Sequence, residues 1–553
     1  MIMDINSKIF KRKIDMNKLF KKTAYILSFT AVICAAGCND IALEIKNLTF
    51  SRIFSPIGLT ATVTNKTQVT LNWTKIANAT SYTIEVYADD SLTFDPAKLA
   101  KTITGITDAQ LPYTIASGLI GETKYSARVK GLGENITESK WSGVFFKTDA
   151  EQIMTPVADA DIQALQATFR WKAGETASVI ILTPTSGTAI THTVTAAEIT
   201  AGAATVTGLS EDMKYSAKLM IGTKTRGSAS FTTLIDLTAS GTIAVNPGDD
   251  LAAIISGASA NSRIVIVANT STNEFLIGGL TVDIAKNLTV RGYNKNFKPI
   301  VHAYFKMATA GVSLTIQDVV LDGTTATVLN LDHVLQFTTS GVAYGNYTFT
   351  NCVVKNYNKS LVSAASGIIS SISSFNLINC KVSNILTNSA DCIDVRSGCL
   401  ENVTLKNSTF TNCAPGRDFL RLDDGSTNAY LAGKTSVISV NNCSFSGVSS
   451  EAAHRILYIR YGAASTSLNQ ITFSNNVVAN SVGYFTNQPS TTVTFSKNDY
   501  FNAPGFQSSL ILNAKVDASG TTLDPGFVDV TNGNLTITNS TLLSQGIGAA
   551  ISW

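Results

Sequence analysis

Charge is what this sequence has least of. Only 15% of its 553 residues are Asp, Glu, Lys or Arg, and only four are histidine. With so few histidines and no Cys-x-x-Cys pair, the chain offers no zinc-type ligand set. It carries no long heptad pattern, which excludes an extended coiled coil. Its one leading apolar run, Ala24 to Ala36, is too short to span a bilayer. What is present is a 44% hydrophobic chain in which Thr, Ser, Asn and Ala abound, a profile of β-rich modules with polar turns. The length exceeds what one core serves, so several domains are expected.

The N-terminus supplies most of the apparent basicity. Lys18, Lys21 and Lys22 precede the Ala24–Ala36 run, which stops at Gly37-Cys38. This pattern reads as a signal peptide over residues 1–37, with Met16 as the expected start. The small residues Ala35, Ala36 and Gly37 before Cys38 resemble a bacterial lipoprotein cleavage site, with Ala35 where that family prefers Leu. The resemblance implies lipidation of Cys38, a lipidated linker over 38–54, and membrane attachment through the lipid alone. A plain signal peptide is the competing reading. Removing residues 1–37 takes away seven Lys or Arg and two Asp, so the formal charge of +3 becomes about −2. That leaves no general attraction to nucleic acid or anionic membranes.

Residues 55–149 alternate as strands: Val69, Leu71 and Trp73 on one, Ile84 and Val86 on the next, then Lys124 to Val129. Leu119, six before Tyr125, resembles the tyrosine corner of fibronectin type III modules. Phe169, Trp171, Leu209 and Tyr215 repeat the pattern, predicting a second, shorter sandwich over 152–234. Alternation makes these aromatic residues core residues; the competing role is a sugar-stacking platform.

From residue 240 onward the rhythm changes. Asp249 to Ile255 reads as an amphipathic helix capping a solenoid end. Short strands then align so that positions 318, 351, 379, 407, 442, 475 and 497 fall in one column, spaced by 33, 28, 28, 35, 33 and 22 residues. Irregular periods of this length are what stacked coils with variable loops produce. Most of the column is Asn, predicting a ladder of side-chain amides. Cys352, Cys380 and Cys443 follow it directly, beside Ser408. Six cysteines after Cys38 permit disulfides in an exported chain, but this column favours free thiols acting as small hydrophobes.

Asn287 to Gly292 resembles the opening coils of pectate-lyase-like β-helices, and Asp524 to Phe527 with Asn539 to Gly546 resembles the ending of Bacteroidetes β-helix lipoproteins. Together these features resemble a Bacteroidetes lipoprotein family with fibronectin type III modules and a pectate-lyase- or chondroitinase-B-like helix. The expected fold class is all-β: two fibronectin-III-like β-sandwiches, then a right-handed parallel β-helix over 240–553. The expected location is the outer membrane, at the cell surface, alongside other glycan-uptake proteins.

Three consecutive coils concentrate charge: Asp391 to Arg396, Arg417 to Asp424, and His454 to Arg460. Period-two alternation turns Ile393, Val395, Leu420, Leu422, Leu457 and Ile459 inward. Asp394, Arg396, Arg421, Asp423, Tyr458 and Arg460 then share the outer face. One reading is a groove for an acidic polysaccharide, with arginines holding uronate carboxylates and Tyr458 stacking on a sugar. A second is a polysaccharide lyase, with Arg396, Arg421 or Arg460 as base and Asp394, Asp418 and Asp423 as Ca²⁺ ligands. A third is a structural adhesin contacting protein, and the competing account of the face itself is a salt-bridge ladder, Asp394 with Arg421 and Asp423 with Arg460, that stabilises adjacent strands. Galacturonan hydrolases of this fold carry Gly-His-Gly, which is missing, and His302, His333 and His454 are isolated.

Overall fold

The computed structural model describes residues 51–268, 274–325, 330–387, 389–423, 433–459, 469–489 and 491–551. The expected signal peptide with Met16, the lipidation site Cys38 and the site residue Arg460 lie outside the described residues, as does Asp424 at the end of the second charged stretch. No helix among the described residues is long and apolar enough to cross a membrane.

Alternation in the first module builds two antiparallel sheets. Thr60–Thr64, Gln68–Asn72 and Tyr113–Ile115 form one; Leu99–Ile106, Ser81–Ala88, Lys124–Leu132 and Ser142–Lys147 form the other. Val69, Leu71, Trp73, Ile84, Val86 and Tyr125 are buried between them, so the aromatic residues belong to the core. Trp73 meets Tyr82 edge-on at 5.1 Å. The Tyr125 hydroxyl accepts the Ile120 N–H at 2.9 Å, completing a fibronectin-III-like tyrosine corner. The second module repeats it with fewer strands. Gln166–Arg170 pairs Ala203–Thr207, facing a four-stranded sheet around Lys214–Ile221, and Tyr215 accepts from Ser210 N–H at 2.9 Å. Phe169 and Trp171 are core there. A short helix unforeseen in the sequence, Ala196–Ala201, starts with a capping box between Thr195 and Glu198.

The expected capping helix is present as Leu251–Gly257, where Asp250 accepts the Ala253 N–H and Leu251 and Ile255 are buried. From Thr242 onward the described residues alternate between two long sheets whose pairings are all parallel, one of ten strands and one of fourteen. Successive passes stack in register: Leu377 on Leu405, Val382 on Phe410, and Ile393 on Leu420 on Leu457. Phe410 and Phe445 stack at 4.8 Å inside.

The aligned column is explained first by backbone shape. Asp318, Asn351, Asn379, Asn407, Asn442, Asn475 and Lys497 all adopt φ between 46° and 56°, the left-handed region that Asn and Asp tolerate better than other non-glycine residues. Amide rungs follow where neighbours allow: Asn351 Nδ2 donates to Asp318 at 3.3 Å and Asn407 Nδ2 to Asn379 at 2.8 Å. Asn442 instead donates to the Gly546 carbonyl at 2.6 Å. A second column went unseen in the sequence. Asn356, Asn384, Asn412, Asn480 and Asn502 also have positive φ, with rungs from Asn384 to Asn356 at 3.2 Å and Asn412 to Asn384 at 3.1 Å. Cys352, Cys380, Cys392, Cys413 and Cys443 are free, buried thiols, and Cys399 is buried with them. Cys352 Sγ donates to the Ile316 carbonyl and Cys380 Sγ to that of Phe349. The final segment turns back along the first column. The N–H of Gly548 donates to Asn475 O, that of Ala549 to Ser444 Oγ and that of Ala550 to Asn407 Oδ1.

Candidate functional site

Three short strands carry the charged face: Ile393–Arg396, Leu420–Asp423 and Leu457–Ile459. Their parallel register sets Asp394 beside Arg421 and Arg421 beside Tyr458, with Arg396 beside Asp423. The six aliphatic residues expected inward are all fully buried in the core.

Of the expected cross-strand ladder, the Asp394–Arg421 pair is replaced by pairs along each strand, and the Asp423–Arg460 pair lies outside the described residues. Arg396 Nε donates to Asp394 at 2.8 Å and Arg421 Nη2 to Asp423 at 2.7 Å, each pair two residues apart on one strand. The reason lies one step before the strands, in Asp391. Its buried carboxylate accepts from Arg417 Nε at 3.1 Å, Arg396 Nη2 at 3.2 Å, Arg421 Nη1 at 3.5 Å and the Asp418 N–H at 3.2 Å. A desolvated carboxylate needs several donors, and Asp391 draws the arginine forks toward itself. Asp418 in turn takes both Nε and Nη2 of Arg455 at 3.0 Å, plus the Arg455 N–H at 2.8 Å. The Arg455 guanidinium lies 3.6 Å from the Tyr458 ring centre, a cation–π stack. Tyr458 is buried beneath it, so the ring is a platform for arginine instead of an open surface for sugar.

The layering is asymmetric. Side chains of Asp391, Asp394, Asp418 and Asp423 are 2–8% exposed, against 22–33% for Arg396, Arg417, Arg421 and Arg455. Carboxylates form the floor and guanidinium edges the solvent layer. Burial, reinforced by the neighbouring Asp391 charge, pushes the Asp394 carboxyl up against the opposing pull of Arg396. Burial pulls the Arg421 guanidinium down, but Asp423 and Asp391 outweigh it and hold it more firmly protonated. A base needs the opposite shift. His333 is buried, which lowers it to about 4 and keeps it neutral near pH 7.

The expected calcium ligands Asp394, Asp418 and Asp423 are each bonded to arginine. Among the described residues no group of three His, Cys, Asp or Glu side chains stands close enough to hold a metal ion. Asp391, Arg417 and Arg455 lie in the charged stretches but outside the face that period-two alternation defines. The register held the signal, because Asp391, Asp418 and Arg455 each lie three residues before the aligned trio Asp394, Arg421 and Tyr458.

Residues 273–413 match a family described as Domain of unknown function (DUF4957), and residues 438–551 match Domain of unknown function (DUF5123). Each covers less than half of the chain. Nothing among curated protein sequences matches it. Of solved structures, a two-domain fibronectin type III segment of chicken tenascin is 17% identical and aligns with 32% of this chain and 99% of its own, at a TM-score of 0.22. The FN1–FN3 domains of chicken CNTN1 align at 12% identity over 32% of this chain and 65% of theirs, TM-score 0.14. A central fibronectin-III array of RIM-binding protein aligns at 17% identity over 33% and 69%, TM-score 0.13.

Proposed function

We propose that this chain is an exported Bacteroidetes-type lipoprotein, anchored at Cys38 on the outer membrane and exposed at the cell surface, that captures an acidic polysaccharide. In this reading residues 240–553 form a right-handed parallel β-helix of pectate-lyase-like kind, and the two sandwiches hold it away from the membrane. The parallel pairing of every strand in both long sheets supports the helix. The observation that carries the binding reading is the layering of the charged face. Four guanidiniums lie outermost over four buried carboxylates. The buried acids orient the arginines and reduce the entropy lost when an anion binds, while the exposed edges keep donors for a uronate carboxylate or sulfate ester.

Affinity electrophoresis against pectin, alginate and glycosaminoglycans, with neutral glycans as controls, tests this. Retardation by acidic polymers alone, weakening as salt is raised, is the expected result. Equal retardation by neutral glycans, or none by any polymer, sinks the reading. A lyase is the second reading, motivated by the Asp394 carboxyl, raised by burial and set beside Arg396 and Arg421 on one face. Absorbance from new unsaturated uronates in the same mixtures would establish it.

A further inference from the structure

Three guanidiniums of the charged face meet at one oxygen. Arg396 Nη2 lies 3.2 Å from Asp391 Oδ2, and Arg417 Nη2 and Arg421 Nη1 each lie 3.5 Å from it. Each nitrogen is therefore within 3.5 Å of a common atom, and no two are farther apart than twice that. Arg396 arrives from the strand Ile393–Arg396 and Arg421 from its in-register neighbour Leu420–Asp423. Arg417 arrives from the turn just before that second strand. The three groups reach one point from three directions.

Their hydrogen bonds are not exhausted. A guanidinium carries five N–H groups in one plane. Arg396 directs Nε to Asp394 and Nη2 to Asp391, and Arg417 directs Nε and Nη2 to Asp391. The Nη1 of each meets no acceptor among the described residues. Arg421 directs Nη1 to Asp391 and Nη2 to Asp423, which leaves a second N–H on each nitrogen. The bonded groups face acids that are almost fully buried, so the spare ones belong to the exposed edges. Three cations in one place repel one another. The buried Asp391, with Asp394 and Asp423, offsets that repulsion within the fold, so a ligand meets the cluster already gathered.

The shape of the cluster selects among anions. A carboxylate offers two oxygens in one plane and is served by one fork of one arginine. A sulfate ester offers three terminal oxygens spread as a tripod, which no single planar fork matches. Three guanidiniums converging from different directions give one donor to each oxygen. Resting on the reading of this face as an acidic-polysaccharide site, we infer that its ligand is a sulfated polysaccharide, with one sulfate ester seated on Arg396, Arg417 and Arg421 together. Arg455, tied to Asp418 and stacked on Tyr458, takes no part in the Asp391 cluster.

Dextran sulfate and carboxymethyl dextran, matched in length and degree of substitution, present the two anions on one backbone. Each is titrated calorimetrically into the full chain at the same ionic strength, with unmodified dextran as the control. Dextran sulfate is expected to bind at least about tenfold more tightly, the worth of one further charge-assisted contact. Arg417→Gln leaves the Arg396–Asp394 and Arg421–Asp423 pairs in place, and in it that preference should shrink to little or nothing. Equal affinity for the two polymers, or tighter binding of carboxymethyl dextran, overturns the sulfate assignment and leaves the acidic-polysaccharide reading standing. A preference that survives Arg417→Gln in full overturns the three-arginine seat. Binding of neither derivative overturns the inference, and the panel of pectin, alginate and glycosaminoglycans then decides the broader reading by itself.

Discussion

At the scale of single residues, the charged face is organised by one carboxylate. Asp391 is buried, and three arginines and a backbone N–H point at it. Asp391→Asn is expected to cost about 3–5 kcal/mol, because it leaves arginines gathered around an uncharged amide. Arg417→Gln, which removes a partly exposed partner, should cost about 1 kcal/mol or less. Urea denaturation of both variants checks the ratio, and equal losses would contradict a central role for Asp391. The outward set at 394, 396, 421, 423 and 458 was legible from the period-two rule. The pairing was not, because long arginine side chains reach along a strand as readily as across it, and the acid that decides between the two precedes the strand.

A second residue sets a pH dependence. Asp499 is fully buried, its Oδ1 accepts from Thr521 Oγ1 and the Leu523 N–H, and its Oδ2 has no hydrogen-bond partner. Burial raises its carboxyl above the ordinary value, against the pull of those two donors. The folded state therefore holds the proton more tightly than the unfolded chain, whose Asp titrates near ~3.9. The resulting contribution to stability is present below about pH 4, declines as pH rises through the raised folded value, and is flat above it. The stability difference between the unmodified chain and Asp499→Asn should show this decline across mildly acidic pH. A difference independent of pH, or one rising with pH, would contradict it.

At the scale of elements, the coils turn on residues with positive φ. The sequence showed one Asn column because Cys or Ser often follows it in a recognisable strand. It hid the second, at 356, 384, 412, 480 and 502, because those residues close strands of varied composition. Lys497 occupies the first column with φ 52° and an exposed side chain. A lysine gains nothing there and bears the steric penalty of the left-handed region, so Lys497→Asn should stabilise the chain by about 1 kcal/mol. A lower urea midpoint for that variant would contradict the backbone account of the column.

At the scale of the whole molecule, two sandwiches lead into two long parallel sheets, and both arrangements were legible. Alternation exposes a one-sided core, and repeat spacing exposes stacking. The returning C-terminal segment was not legible, because its bonds are backbone to column and leave no pattern of side chains. That return runs along the first Asn column, while the arginine layer lies on the short strands Ile393–Arg396 and Leu420–Asp423. The proposed division of labour is a spacer formed by the sandwiches and a recognition surface formed by the coils.

The central claim is that the outer arginine layer recognises an acidic polysaccharide. The most direct measurement is calorimetric titration of the best acidic polymer from the panel into the unmodified chain and into Arg396→Gln/Arg417→Gln, at fixed ionic strength and with folding verified by circular dichroism. Loss of two charge-assisted contacts, about 1.5 kcal/mol or more each, predicts affinity weakened about a hundredfold. Unchanged affinity in the folded double variant would contradict the account.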